Sequence, residues 1–333
     1  MTRASPRPGI TDVARLAGVS LSTVSRAMNG NPTVDPSLVE RVRAAASELG
    51  YTANPVARSL VLGRTQTVAV VIPDLANPTF QAILRGLSRA AAADGFHILV
   101  ADSAEDHAEE LALARTTRLR TDGVILCAPR MSEEQLRALL PELSPAVVIN
   151  RDPQPETPVV AADYRAGLRM LIDHVVGLGH RRLAYLAGAP RSVSNRARRD
   201  AIAEAVAATD GLVVEELAAG VDFDSGTAAA DPVLASGATA VLAFNDLVAM
   251  GLLSALTARG ADVPGRISIA GFDDIPFAAY TTPPLTTAAV PAAEIGASAW
   301  RAMHDQLSGE APTEMRTFVP SLIARGSTGD APE

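Results

Sequence analysis

From Thr67 onward, short apolar runs alternate with stretches of helical periodicity, and this alternation limits the possible folds more than any other property of the chain. The runs are TVAVVIP, HILVA, GVILCA and AVVIN, and after a restart near residue 160, PVVAAD, RLAYLAG, LVVEEL, TAVLAF and ISIAGF. Between them Phe80, Ile83, Leu84 and Leu87 stripe one predicted helix. Further helices are expected over 108–119, 133–140, 164–176, through Ile202, and over 225–234 and 247–258. Continuous apolar strands separated by helices indicate parallel sheets covered on both faces. The repeated cycle, with a return helix near 292–307, predicts an α/β body of two lobes with a cleft between them. Ligands of such sheets sit beyond the carboxyl ends of the strands.

A different pattern precedes the body. Residues 10–30, ITDVARLAGVSLSTVSRAMNG, read as two short helices around a tight turn. Val13, Leu16 and Ala17 recur at helical spacing, and Gly18 supplies the left-handed backbone of the turn. Ser20 stands at the N-cap position of the second helix, about residues 21–29. Val24, Ala27 and Met28 point inward there, which leaves Leu21, Ser22, Ser25 and Arg26 outward at its N-terminal end. A helix-turn-helix docks in the major groove by that end; an αα-hairpin in a core fits the pattern equally well. Asp35-Pro36 then opens a third helix, with Leu38, Val42, Ala45 and Leu49 on one face and Gly50 at its end.

The stretch DVARLAGVSLSTVSRAMNG resembles the opening signature of the LacI/GalR (lactose-repressor/galactose-repressor) family of bacterial transcription factors, DVA-x-x-AGVS-x-x-TVSR. Gly9 departs from it, standing where that family commonly has a capping Thr. The resemblance implies an all-α helix-turn-helix head followed by an α/β body of two Rossmann-like lobes of the periplasmic-binding-protein type. The boundaries expected are a disordered lead-in over 1–8, the head over 9–52, a hinge helix and linker over 53–65, and the effector-binding and dimerisation body over 66–333. The resemblance implies DNA contacts from Thr11, Ser20, Thr23 and Asn29 beside the outward face of the second helix. YTANPVARSLVLGRT contains the family's hinge pattern, which implies minor-groove contacts from Asn54, Val56 and Ala57 and a wedging Leu60. By length alone the same stretch is too short for an isolated helix and reads as a linker.

For the body the resemblance implies a small-molecule effector, most commonly a sugar, held by residues that follow strands. IPDLANPTF gives Asn77 and Phe80, although Asn-Pro also makes a turn and Phe80 suits a core. Arg151 follows AVVIN and offers a polar wall. Arg198 matches an arginine that grips effector hydroxyls or carboxylates, and Phe223 an aromatic that stacks on the ligand. Asn245 in LAFND and Asp273 in AGFDD match the effector-binding pair; their donors and acceptors suit a polyhydroxyl ligand. Asp274 and His180 are expected to be structural. Arg196 and Arg199 are expected to be solvated surface.

Charge sharpens the division. The net charge is −8, and all 29 basic residues are arginine. Residues 1–65 carry eight arginines against Asp12, Asp35, Glu40 and Glu48, a balance of +4, so the remainder carries −12. A basic head on an acidic body suits a chain in which the head alone meets phosphate. The single cysteine, Cys127, excludes an internal disulfide, and its apolar surroundings predict a buried thiol. There is no long apolar run, secretory h-region, metal-ligand spacing, phosphate loop or nucleophile elbow. The expectation is therefore a cytoplasmic, homodimeric, ligand-responsive repressor of an operator DNA, without cofactor, metal or membrane association. An enzyme and a secreted binding protein are the rivals with less support.

Overall fold

A computed structural model describes residues 8–28, 33–51, 63–310 and 315–333. The chain divides into two compact units, Met1–Thr65 and Gln66–Glu333. The first holds helices α1 (Ile10–Ala17), α2 (Leu21–Met28) and α3 (Pro36–Glu48). Gly9 contributes no side chain to cap α1; instead Asp12 reaches back and its carboxylate accepts from the Gly9 amide at 2.9 Å. Gly18 has φ 63°, the left-handed turn expected of it,. Arg41 of α3 donates to the Ala17 carbonyl at 2.5 Å, satisfying an orphan acceptor at the end of α1,. Val13, Ala14, Ala17, Val24, Ala27, Val42, Ala45 and Ala46 form the core. Leu16, expected inside, is half exposed, and Ala14 takes the inward place. The predicted residues Asn29, Asn54, Val56, Ala57 and Leu60, and residues 1–7 of the lead-in, lie outside the described residues.

The second unit contains two six-stranded sheets. The first is built from β1 (Thr67–Ile72), β2 (His97–Asp102), β3 (Gly123–Cys127), β4 (Ala146–Ile149), β5 (Val159–Ala162) and a late strand, β11 (Arg316–Phe318). Its order is β11-β5-β4-β3-β1-β2, parallel throughout. Helices α4 (Pro78–Ala93), α5 (His107–Arg118) and α6 (Glu133–Leu143) connect its first strands. After α7 (Tyr164–Gly177) come β6 (Arg182–Ala187), α8 (Val193–Ala208), β7 (Val213–Ala218), α9 (Phe223–Ala228) and α10 (Ala230–Ser236). They are followed by β8 (Ala240–Ala243), α11 (Asp246–Ala258), β9 (Ser268–Asp273) and β10 (Thr286–Ala289). Helix α12 (Ala292–Leu307) returns to pack on α4, and β12 (Ser321–Ile323) closes the second sheet, ordered β12-β10-β9-β8-β6-β7. Among the described residues only the β10–β12 pairing in that sheet is antiparallel.

Among the described residues the chain passes between the lobes at Asp163, at 290–291 and at 319–320. The Asp163 amide donates to the Phe318 carbonyl at 2.8 Å, tying two of these crossovers together. The central strands are buried on both faces, as continuous apolar runs require,. The edge strands β2 and β7 differ: most of their residues are exposed or half-buried, although HILVA reads like a core strand. The helix expected over 225–234 is two short helices, α9 and α10, meeting at Ala229.

Two helix contacts are very close. A Cβ added to Gly86 of α4 would lie 1.9 Å from the Ala293 carbonyl oxygen, and one on Gly296 of α12 would lie 2.0 Å from that of Ile83. Glycine at both positions lets the backbones of α4 and α12 touch. Trp300 of α12 is fully buried beside them and donates to the Asp94 carboxylate at 2.7 Å.

Candidate functional site

The carboxyl ends of the two sheets face each other across a narrow cleft with about 40 Å³ of space open to water. Arg198 projects into it from α8 and is 1% exposed. Its guanidinium carbon lies 4.6 Å from the ring centroid of Tyr164, 4.6 Å from that of Phe244 and 4.1 Å from that of Phe272. An aromatic box of this kind favours a cation through the ring quadrupoles. It supplies no acceptors, and Nε and Nη1 of Arg198 are buried without a hydrogen-bond partner. Two buried donors left this way cost free energy unless a ligand oxygen or water completes them.

Asp273 ends β9 with φ 109°, a strained left-handed backbone for a residue other than glycine,. One carboxylate oxygen, Oδ2, accepts from the Thr79 hydroxyl at 2.8 Å, a bond that joins the two lobes. Burial pushes its carboxyl up to about 6, against the opposing pull of Arg198 and the Thr79 bond. The segment after β9 is pinned from beneath by buried Asp246, which accepts from the Ile275 amide at 2.8 Å and the Thr287 hydroxyl at 2.6 Å. Burial and the nearby Asp273 charge hold the Asp246 carboxyl well above the usual range.

Three helices begin at the cleft, and each is closed by a side chain. Asn77 accepts from the Thr79 amide at the start of α4, Ser192 from the Asn195 amide at α8, and Asn245 from the Val248 amide at α11. Asn245 also donates from Nδ2 to the Val221 carbonyl at 2.8 Å. The caps leave each asparagine one lone pair and one or two N–H groups for a ligand. Phe80 lines the first lobe's side and is mostly buried in its core.

Two predicted ligand residues stand elsewhere. Arg151 does not line this cleft: Nη1 donates to the Pro129 and Met131 carbonyls and Nη2 to Glu133, each at 2.9 Å, so its guanidinium fastens loops within the first lobe. Phe223 opens α9 with 45% of its surface exposed, beside an outer groove with Met250 and Leu253; Val221, two residues earlier, reaches the cleft instead. Arg196, expected on the solvated surface, pairs with Asp152 across the lobes, and Arg199 pairs with Glu216 within its own. Asp274 pairs with Arg325 at 2.7 Å, and His180 is held between Thr239 and the Gly329 carbonyl. Cys127 is fully buried, which pushes its thiol up to about 12 and leaves it inert,.

The cleft also contains residues not anticipated from sequence, including Thr79, Glu105, Arg130, Asn150 and Tyr164. Glu105 and Arg130 form a two-pronged ion pair, Nε to Oε2 at 2.7 Å and Nη2 to Oε1 at 2.8 Å. Glu110, buried below, accepts from the amides of Arg130 and Met131, while its burial pushes its own carboxyl up. Both members of the pair follow strands by three residues, a position in which polar side chains of parallel sheets meet ligands.

In the head, Leu21, Ser22 and Arg26 form an exposed edge of α2, with Thr11 exposed on α1 and Ser25 and Thr23 half-buried. The Ser20 hydroxyl accepts from the Thr23 amide at 3.1 Å and is bonded to the hydroxyls of Ser22 and Thr23. The turn is thus capped as expected, and a row of hydroxyls lies at the free end of the helix.

Residues 9–54 match the model of the bacterial regulatory proteins of the lacI family, and residues 172–328 that of the periplasmic binding protein-like domain. Over nearly its full length the chain is similar to the transcriptional regulator MalR of Streptomyces coelicolor, 32% identical over 97% of both chains. GalR of Escherichia coli is 33% identical over 96% of this chain and 95% of its own. The chain belongs to the LacI/GalR family. Among solved structures, a lac repressor dimer bound to operator and an anti-inducer superposes with a TM-score of 0.87 at 26% identity, covering 97% of this chain and 99% of that one. A CelR–cellobiose complex gives 0.70 at 29% identity, covering 96% and 100%. LacI/GalR membership makes the first unit a DNA-binding helix-turn-helix domain and the second a periplasmic-binding-protein-like body of a transcriptional regulator. The relatives are named as regulators rather than enzymes. Among the described residues no helix is long and apolar enough to cross a membrane.

Proposed function

We propose that this regulator is a repressor that binds a pseudo-palindromic operator as a homodimer and responds to a neutral polyhydroxyl effector, a sugar or sugar derivative, held between its lobes. The orphaned guanidinium of Arg198 carries the reading: it is a buried donor pair in a cleft, facing a carboxylate, with no protein acceptor. Ligand hydroxyls complete Arg198, Asp273 and Asn245 at once, because each hydroxyl both donates and accepts. Neutrality follows from the charge balance. Arg198 faces Asp273, Arg130 is paired with Glu105, and the helix N-termini at the cleft are already capped. An anionic ligand would find no uncompensated positive charge of the kind a phosphate site uses. Solved members of the family have been captured with cellobiose and with ribose, which agrees with this class.

Leu21, Ser22, Ser25 and Arg26, with Thr11, Ser20, Thr23 and Asn29, read the half-site, while Asn54, Val56, Ala57 and Leu60 act in the minor groove. One head reads only a half-site, so specific binding calls for two. Exposed apolar side chains support a homodimer: Leu99 and Val100 on edge strand β2, and Phe277 and Tyr280 after β9,. The test is an operator selected from random duplexes, titrated over a range of salt. Affinity falls steeply with salt through counterion release, and Arg26→Ala loses preference for the operator over scrambled DNA. Equal affinity for the two duplexes in the wild type contradicts the reading.

A further inference from the structure

The cleft between the lobes is shut. About 40 Å³ of it is open to water, room for a few molecules of solvent, whereas a small-molecule pocket takes roughly 300–1,000 Å³. The walls leave little slack. Arg198 fills the middle, wedged among Tyr164, Phe244 and Phe272. Phe244 and Phe272 are buried and rest on backbone: a Cβ added to Gly188 would lie 2.4 Å from the Phe244 ring, and one on Gly167 would lie 2.7 Å from that of Phe272. Rings packed this closely do not swing aside, so room for an effector comes from parting the lobes.

Among the described residues, the Thr79–Asp273 hydrogen bond and the Arg196–Asp152 ion pair oppose that movement. They are not equal. Arg196 and Asp152 are half exposed, and a screened pair of that kind contributes little,. Thr79 is 7% exposed, and its hydroxyl donates to a carboxylate at 2.8 Å deep in the cleft, where a hydrogen bond to a charged group is strongest,. We propose that the Thr79–Asp273 hydrogen bond is an autoinhibitory latch, which holds the cleft shut and must break before an effector enters. The proposal rests on the reading of the cleft as the effector site.

Both ends of the latch are mounted so that it breaks rather than stretches. Thr79 stands in the first turn of α4, its amide donating to the Asn77 side chain at 2.9 Å, and α4 is fixed to α12 by the backbone contacts at Gly86 and Gly296. Asp273 sits at the strained end of β9, which Asp246 pins through the Ile275 amide and the Thr287 hydroxyl. Neither residue can follow the other when the lobes separate. The shut form thereby taxes effector binding, because apparent affinity scales with the fraction of molecules whose cleft is open. Loss of the Thr79 hydroxyl is therefore expected to tighten binding, the reverse of what loss of a ligand contact does.

Two measurements on the full chain test the latch. Spin labels on His107→Cys and Arg191→Cys, which stand on opposite lobes at the mouth of the cleft, report its width; Cys127 is fully buried and takes no label. Labelled chains are diluted with unlabelled ones, so that distances within one chain are read. The wild type should give one short distance. Thr79→Val should add a longer one, and Thr79→Ser, which keeps the donor, should not. In calorimetric titrations of the unlabelled proteins with ribose, glucose and cellobiose, Thr79→Val should bind the best of these about three- to tenfold more tightly than the wild type, the range of one net hydrogen bond. Thr79→Ser should bind like the wild type. Distances that Thr79→Val leaves unchanged overturn the latch. A wider cleft with equal or weaker binding overturns autoinhibition. If none of the sugars binds wild type or variant, the effector reading falls and autoinhibition with it, while the distances still decide whether the bond holds the lobes shut.

Discussion

Asp273 combines an interlobe latch and a strained backbone in one residue, and on the proposed reading it also holds the effector, so its protonation gives a direct handle on the site. Burial raises its carboxyl from the ordinary 3.8 to about 6. Between those values the folded body retains a proton that the unfolded chain has released, so this residue's contribution to stability falls as pH rises from about 4 to 6. The shift is worth at most ~3 kcal/mol. Asparagine imitates the protonated acid and can still accept from Thr79. Asp273→Asn is therefore expected to melt with the wild type near pH 4 and a few degrees above it at pH 7. A Tm difference that does not change with pH, measured by calorimetry across that range, contradicts the assignment. On the proposed reading the ionised carboxylate of the wild type is the cost of a good acceptor for ligand hydroxyls.

At the scale of elements, the contact between α4 and α12 is set by glycine. Gly86→Ala gains roughly 1 kcal/mol in helix propensity, yet places a methyl group 1.9 Å from a backbone oxygen that no rotamer change can move. Overpacking of this kind costs about 1–3 kcal/mol, so the clash wins and the variant should melt lower than the wild type; an unchanged or raised Tm would show that the helices can part freely. Such packing was not legible in the sequence, which gives the stripe Phe80, Ile83, Leu84 and Leu87 but not the partner helix more than 200 residues away. The parallel pairing was legible as a class, because central strands buried on both faces must be continuously apolar. The edges were not: Leu99 and Val100 have the composition of a core strand and lie at the sheet's border. Arg198, Asn245 and Asp273, singled out by motif and by position after strands, all line the cleft. Glu105 and Arg130 have the same position but no motif, and their pairing exists only in three dimensions. Arg151 follows a strand as well but turns away to Pro129, Met131 and Glu133, because nearness to a strand end does not say which way a long side chain turns. The hinge stretch lies outside the described residues and is tested in solution: Leu60→Ala should weaken operator binding by tenfold or more and reduce bending. An apolar wedge repays roughly a few kcal/mol of unstacking with contacts to a bent duplex. Undiminished bending would rule the wedge out.

For the molecule as a whole, the proposed function requires that an event between the lobes be felt by the DNA-binding unit. The lobes are joined by the three crossovers, by the Thr79–Asp273 bond deep in the cleft and by the Arg196–Asp152 pair, whose exposed groups contribute little,. On the proposed reading a ligand at Arg198 and Asp273 engages the carboxylate that also accepts from Thr79 across the lobes, so occupancy and lobe geometry are linked. It changes operator affinity only as far as it binds one geometry better than the other. The charge division keeps the two tasks apart, with +4 on residues 1–65 and −12 on the rest. The most direct measurement is operator affinity by fluorescence anisotropy as a function of added sugar, for the wild type and Asp273→Ala side by side. The account predicts that the best-binding sugar shifts the wild type's operator Kd by about fivefold or more, while Asp273→Ala binds the same operator and does not respond. A variant that responds like the wild type, or a wild type whose operator affinity is indifferent to a sugar it demonstrably binds, contradicts it.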